Sequence, residues 1–217
     1  MGYHRAGFNE IVGVDIRPMP RYPFVFVQGD ALDYLREHGH EFDAIHASPP
    51  CQGYSRLRFV RGRDMSEYPM LVEDVRAELV KIGKPWVIEN VPDAPLVDPL
   101  MLCGTMFGLR THKHRCFEMS HPFYFAPALC NQAPVKQKGS DKRLAQWHGM
   151  DAPMVTVAGH LFSKASGSRA MDIDWMTRDE LAEAIPPAFT EYVGWHILEV
   201  CRAITERNLL FLHKREA

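Results

Sequence analysis

The chain has 217 residues, 46% of them apolar and 24% charged, which is enough for one ordinary core with a small appended lobe. No apolar run approaches the ~18 residues of a membrane span, and the N-terminus lacks a leader pattern, so a membrane or exported protein is not expected. The five cysteines (Cys51, Cys103, Cys116, Cys130, Cys201) are odd in number, and no two have C-x-x-C spacing. A disulfide framework and a zinc knuckle are therefore not signalled, and a reducing, cytoplasmic setting is expected.

The net charge of −2 is unevenly divided. Residues 1–109 carry 11 Lys/Arg against 15 Asp/Glu, and residues 170–217 carry 5 against 9, whereas residues 110–169 carry 9 against 3. A basic block inside an acidic protein is the footprint of a polyanion-binding face, although solvated charge runs are also common.

In chain order, Met1 to Phe8 reads as a helix already under way, with no N-cap residue ahead of it. Glu10 to Ile16 is a β-branched run ending in Asp15, and Phe24 to Asp30 is a second strand ending in Gly29-Asp30. An acid at the end of such a strand can bind a ribose hydroxyl pair; it can equally be an ordinary surface carboxylate. Ala31 to His38 is a short helix. Asp43 to Ala47 is a third strand, and it runs into Ser48-Pro49-Pro50-Cys51-Gln52. Two prolines fix their own φ and cannot continue a ladder, so the chain turns and presents Cys51 at a strand end. The alternative for Cys51 is a small buried hydrophobe.

Residues 53–69 are Arg-rich (Arg56, Arg58, Arg61, Arg63) and suit an active-site loop. Met70 to Ile82 has helical spacing and ends at Gly83. Pro85 to Pro92 is a fourth strand carrying Glu89 and Asn90. Strand and helix alternate, so an α/β fold with a parallel sheet covered by helices is predicted. Residues 96–108 read as loop. Arg110 to Phe117 alternates, which would place Lys113, Arg115 and Phe117 on one strand face. Residues 118–169 are irregular, with a strand at Met154–Gly159 and a Ser/Gly-rich basic loop at Lys164–Arg169. Thr177 with Glu180 forms a capping box, and a long helix from Phe189 to about Asn208 closes the chain, with Val193, Ile197, Val200 and Ile204 on one face.

At Ser48-Pro49-Pro50-Cys51-Gln52, Glu89-Asn90-Val91 and Lys113-His114-Arg115 the chain resembles the DNA cytosine-5 methyltransferases, in the family's order and approximate spacing. The likeness extends to Gly13-Val14-Asp15, Gly29-Asp30 and Ile185-Pro186-Pro187, and its compact form resembles bacteriophage DNA methylases. It implies a Rossmann-like S-adenosylmethionine-dependent methyltransferase sheet with a small irregular target-recognition segment. The expected division is a catalytic core at 1–117, a recognition segment at 118–176 and a C-terminal motif and helix at 177–217.

By resemblance, Cys51 is the nucleophile for C6 of cytosine, Glu89 binds the N3/N4 edge and supplies a proton, and Arg115, helped by Lys113, pairs with the base carbonyl and phosphate. Basic neighbours would lower the Cys51 pKa. Asn90 would hold the Glu89 strand end or the Cys51 loop, with Gln52 and Ser55 in support. S-adenosyl-L-methionine would meet Asp15, Ile16, Asp30, Ala31 and Pro50. The substrate would be double-stranded DNA with the cytosine flipped out, and the loop at 53–69 would close over it. No metal and no membrane partner are expected, the chain is read as a monomer, and a restriction–modification setting fits.

Two departures from the family carry expectations. Its opening strand and Gly-rich cofactor loop have no counterpart here, which would leave neighbouring strands unpaired and cofactor binding weak, as in a truncated chain. Glu183 stands about where the family has an asparagine, and would repel the cofactor carboxylate unless turned away. Two other readings stay open: a catalytically inactive DNA-binding relative without cofactor, and an enzyme placing a different one-carbon or carboxylated group on a pyrimidine nucleotide.

Overall fold

The structure is a computed structural model that describes residues 1–54, 68–125, 127–131, 154–159 and 161–213. Among the described residues six strands form two sheets. Strands β1 (Val12–Asp15) and β2 (Val25–Gln28) make a parallel pair, with Gly13 opposite Phe26. The second sheet has the order β3-β4-β6-β5, built from β3 (Ile45–Ala47), β4 (Trp86–Asn90), β5 (Leu100–Leu102) and β6 (Arg115–Met119). β3 and β4 are parallel; β6 is antiparallel to both β4 and β5. Among the described residues β1 pairs only with β2, and β3 pairs in the sheet only with β4. Each therefore keeps one edge without a ladder partner among the described residues.

Every residue of β4 is buried, because helices cover both faces of its sheet. On one face Trp86 and Ile88 meet Val75 and Leu79 of helix α3 (Val72–Ile82), with Leu32 and Leu35 of helix α2 (Ala31–His38) against them. On the other, Val87, Leu102 and Phe117 pack on Phe189, Tyr192, Val193 and Ile197 of a long C-terminal helix. Period-two alternation along the strands thus feeds two cores at once. α3 ends where the sequence predicts, at Gly83 in the left-handed region with φ 72°.

The N-terminal helix α1 (Gly2–Ala6) lies against the C-terminal helix, called α6 here (Pro187–His213). The crossing is close because both helices offer glycine. A Cβ on Gly194 would stand 2.7 Å from that of Ala6, and one on Gly2 would meet Thr190 Oγ1 at 2.0 Å. The buried face of α6 holds Val193, Ile197 and Val200, while Ile204 is partly exposed because the helix has by then outrun the core.

Several predicted elements are corrected. Residues 96–108 are not all loop: they contain β5 and a 3-10 turn at Gly104–Phe107. The alternating stretch becomes ladder only from Arg115, so Lys113 precedes the strand. The Ser/Gly-rich run is helix α4 (Lys164–Met171), started by a Ser163 cap and buried through Gly167, Ala170 and Met171. Its packing on Leu181 of α5 (Arg178–Glu183) overrides weak helix propensity. Met154–Gly159 is not a full strand. It makes one bridge, where Val155 N–H donates to Arg110 O at 2.7 Å. The Thr177–Glu180 capping box is present.

Candidate functional site

The site forms where β3 and β4 end and the antiparallel β6 begins, on one side of the sheet. Cys51 follows β3 by four residues, and its turn is tied from two directions. Asn90 Nδ2 donates to Pro49 O at 2.9 Å, and Tyr54 N–H donates to Cys51 O at 3.1 Å. Tyr54 is itself buried, and its hydroxyl accepts from Val72 N–H at 3.1 Å. Leu71 supplies no side-chain cap to α3, so the tyrosine satisfies one of that helix's orphan amides while fixing the Cys51 loop. Sequence reading missed Tyr54, since a tyrosine in a polar loop has no periodic signal.

Glu89 is 6% exposed, and Arg115 reaches it diagonally across the β4–β6 ladder, with Nε 2.9 Å from Glu89 Oε1. The contact is an ion pair but not a well-aimed hydrogen bond. Oε1 is buried with no hydrogen-bond donor among the described residues, and Arg115 Nη1 donates instead to His114 O at 2.9 Å. Burial pushes the Glu89 carboxyl above its usual range, opposed by Arg115, a Ser48 hydrogen bond and Lys113. Burial also pushes the Cys51 thiol up; Arg115 draws it down and Glu89 raises it again. This corrects the expectation that basic neighbours would lower it, because desolvation is the largest influence.

Lys113 is also placed differently from the expectation of a phosphate-facing cation. Its Nζ donates to Val157 O (3.2 Å), Leu181 O (3.3 Å) and Ala182 O (2.9 Å), so it binds the end of α5 to the approach of β6. Burial first, then Arg115, brings its pKa down to about 7.

A polar chain reaches Glu89 from behind. Tyr3 of α1 hydrogen-bonds His46 Nδ1, His46 Nε2 lies 2.9 Å from Ser48 Oγ, and Ser48 is a polar neighbour that favours the Glu89 carboxylate. Burial holds His46 neutral, with its pKa lowered to about 4. His46 and Ser48 sit inside or beside a strand, where only the tertiary structure reveals partners.

The predicted cofactor residues lie at the carboxyl ends of β1 and β2. Asp15 accepts from Arg17 N–H at 2.8 Å, and Ile16 beside it is 67% exposed. Asp30 is the N-cap of α2: one oxygen accepts from Leu32 N–H (2.8 Å) and Asp33 N–H (3.0 Å), and Ala31 opens the helix. Pro50 and Gln52 are exposed; Ser55 and the arginines of the following loop lie outside the described residues. Glu183 is turned to Arg17, whose Nη2 is 2.9 Å away, and Arg21 pairs with Glu180 at 2.7 Å. These pairs join the segment after β1 to α5 and neutralise the carboxylate at position 183.

No protein-family model and no curated protein matches this sequence. A solved structure does match in fold. It is a chain classed, provisionally, as a DNA modification methyltransferase encoded within an E. coli prophage. The two share 14% identity with a TM-score of 0.54 over 91% of this chain and 94% of that one. At that identity the likeness is one of fold: this mixed α/β chain has the architecture of that protein. Among the described residues no helix is long and apolar enough to cross a membrane.

Proposed function

We propose that this chain is a DNA cytosine-5 methyltransferase that acts on a flipped-out cytosine in duplex DNA. The observation that carries the reading is the buried Glu89 Oε1, which has no hydrogen-bond donor among the described residues although Arg115 stands 2.9 Å away and Cys51 lies within the field of both. An acceptor buried this way fits a ligand that brings its own N–H, such as the N3/N4 edge of cytosine. The raised Glu89 pKa favours the protonated form that can donate to N3 as charge develops on the ring. Arg115 is the group that favours the Cys51 thiolate, and the thiolate adds to C6 so that C5 becomes enamine-like. Asn90 holds the Pro49 carbonyl and thus the aim of Cys51. The basic block at 110–169 supports a polynucleotide rather than a free nucleotide as substrate.

The methyl donor implied is S-adenosylmethionine, which when bound supplies an electrophilic methyl group. The adenosine half fits the residues present: the Asp15 carboxylate, the exposed Ile16 and the remaining oxygen of Asp30 stand at strand ends. For the methionine carboxylate the fit is poor among the described residues, since Arg17 is taken up by Glu183 and Asp15. Weak cofactor binding is therefore expected, and calorimetry giving a micromolar Kd would overturn it.

The reaction is tested in two arms. With duplex DNA carrying 5-fluorocytosine and labelled donor, a covalent adduct should form and vanish in Cys51→Ser. Without donor, Cys51 addition should still let C5–H of ordinary cytosine exchange with deuterated solvent. DNA binding with neither adduct nor exchange would instead support an inactive DNA-binding relative of the same fold, the reading that the split sheet favours.

A further inference from the structure

Near the start of β6, three residues distant in sequence bring metal-ligating atoms together. Cys103 Sγ, His114 Nε2 and Cys130 Sγ all lie within 4.8 Å of one another. Cys103 precedes the 3-10 turn at Gly104–Phe107, His114 lies just ahead of β6, and Cys130 is on the segment that leaves the sheet after β6. We infer that Cys103, His114 and Cys130 form a binding site for a soft divalent cation, zinc in the first instance, that clamps the 103–105 turn, the start of β6 and the 127–131 segment together.

The donor set and the spacing both carry this. Two thiols and an imidazole are the ligands that select zinc over hard cations. A tetrahedral ion with Zn–S of about 2.3 Å and Zn–N of about 2.0–2.1 Å separates its sulfur and nitrogen ligands by roughly 3.6 Å. Cys130 Sγ and His114 Nε2 are 3.5 Å apart. No disulfide joins Cys103 to Cys130. Thr105 Oγ1 now bridges the two sulfurs, at 3.2 Å from Cys103 and 3.7 Å from Cys130, and accepts from Asn131 N–H at 3.0 Å. Ion binding exchanges those weak thiol contacts for two metal–thiolate bonds, and the two thiol protons leave to solvent. The fourth position is left to water.

The placement gives the site a structural role. His114 stands between Lys113 and Arg115, so a bound ion fixes the backbone from which Arg115 reaches Glu89. The site does not depend on the proposed reaction, and it can be tested without it.

The test uses the full chain, reduced and stripped with chelator. Titration with Zn2+ against a chromophoric chelator should give one ion per chain, and Co2+ should give a thiolate-to-metal charge-transfer band. Cys103→Ser and Cys130→Ser should each weaken binding at least ~10-fold, while Cys201→Ser leaves it unchanged. Zn2+ should also protect Cys103 and Cys130, but not Cys201, from alkylation, a readout that needs no variant to fold. Absence of the charge-transfer band, binding that survives the Cys103→Ser/Cys130→Ser double substitution, or equal alkylation of all three cysteines would overturn the assignment.

Discussion

Replacing Arg76 by methionine should destabilise the chain far more than an ordinary surface substitution, because it strands the Glu118 carboxylate. That side chain is 5% exposed on β6, on the face opposite the one that carries Glu89 and Arg115. Arg76 of α3 grips it with two 2.7 Å bonds, Nε to Oε1 and Nη2 to Oε2, and Nη2 also donates to Pro95 O at 2.7 Å. Val97 N–H adds a bond at 2.8 Å. Without the guanidinium only that amide remains, and breaking one side of a buried pair costs about 3–5 kcal/mol. In a chain of this size each kcal/mol moves Tm by roughly 2–4 °C. The double variant Arg76→Met/Glu118→Leu should recover most of the loss, leaving about 1–2 kcal/mol for the unpaired Pro95 carbonyl and Val97 amide. Urea denaturation of the wild type and the three variants measures the cycle. An Arg76→Met variant within about 1 kcal/mol of wild type would refute the reasoning, since it would mean that the carboxylate is hydrated. The pair ties α3 to β6, the strand from which Arg115 reaches Glu89.

His46 predicts an acid limb in stability. Its folded pKa is about 4 against an ordinary 6.5, so the unfolded chain binds the extra proton between those values. The contribution is present above pH 6.5 and is lost as pH falls towards 4, roughly 3 kcal/mol in all. His46→Phe should flatten that limb in denaturation curves from pH 7 to 4, and an unchanged slope would count against a buried neutral imidazole. Gly194→Ala drives a Cβ to 2.7 Å from that of Ala6 and should cost about 1–3 kcal/mol. Hydrogen exchange in α1 should then quicken, and unchanged protection there would argue against the close crossing. Lys113→Met removes the donor to three carbonyls and should loosen α5 more than it weakens DNA binding in a filter assay. A larger loss in DNA affinity would return the lysine to the phosphate-facing role.

Local chemistry determined much of this protein. The Gly83 stop, the Thr177–Glu180 box and Asp15 at the end of β1 act over a few residues, and the chain shows each where it was expected, whereas Asp30 lies beyond the end of β2 and caps α2. The sequence also put Cys51 after one strand, Glu89 near the end of another and Arg115 on a third, and the structure has Cys51 four residues past β3, Glu89 one residue before the end of β4 and Arg115 at the start of β6. Packing decided the rest. The Ser/Gly-rich run became α4 because Leu181 and Ile173 cover it, a fact no window around residue 167 contains. The Cys51 thiol is pushed up, not down, because burial outweighs Arg115, and burial is a property of the assembled layers. Cys103, His114 and Cys130 lie 11 and 16 residues apart along the chain, a spacing that matches no motif. They meet because the fold carries the 103–105 turn and the 127–131 segment to the start of the same strand. Ligand atoms are brought together in space, and sequence spacing reports that only when one local element supplies them all.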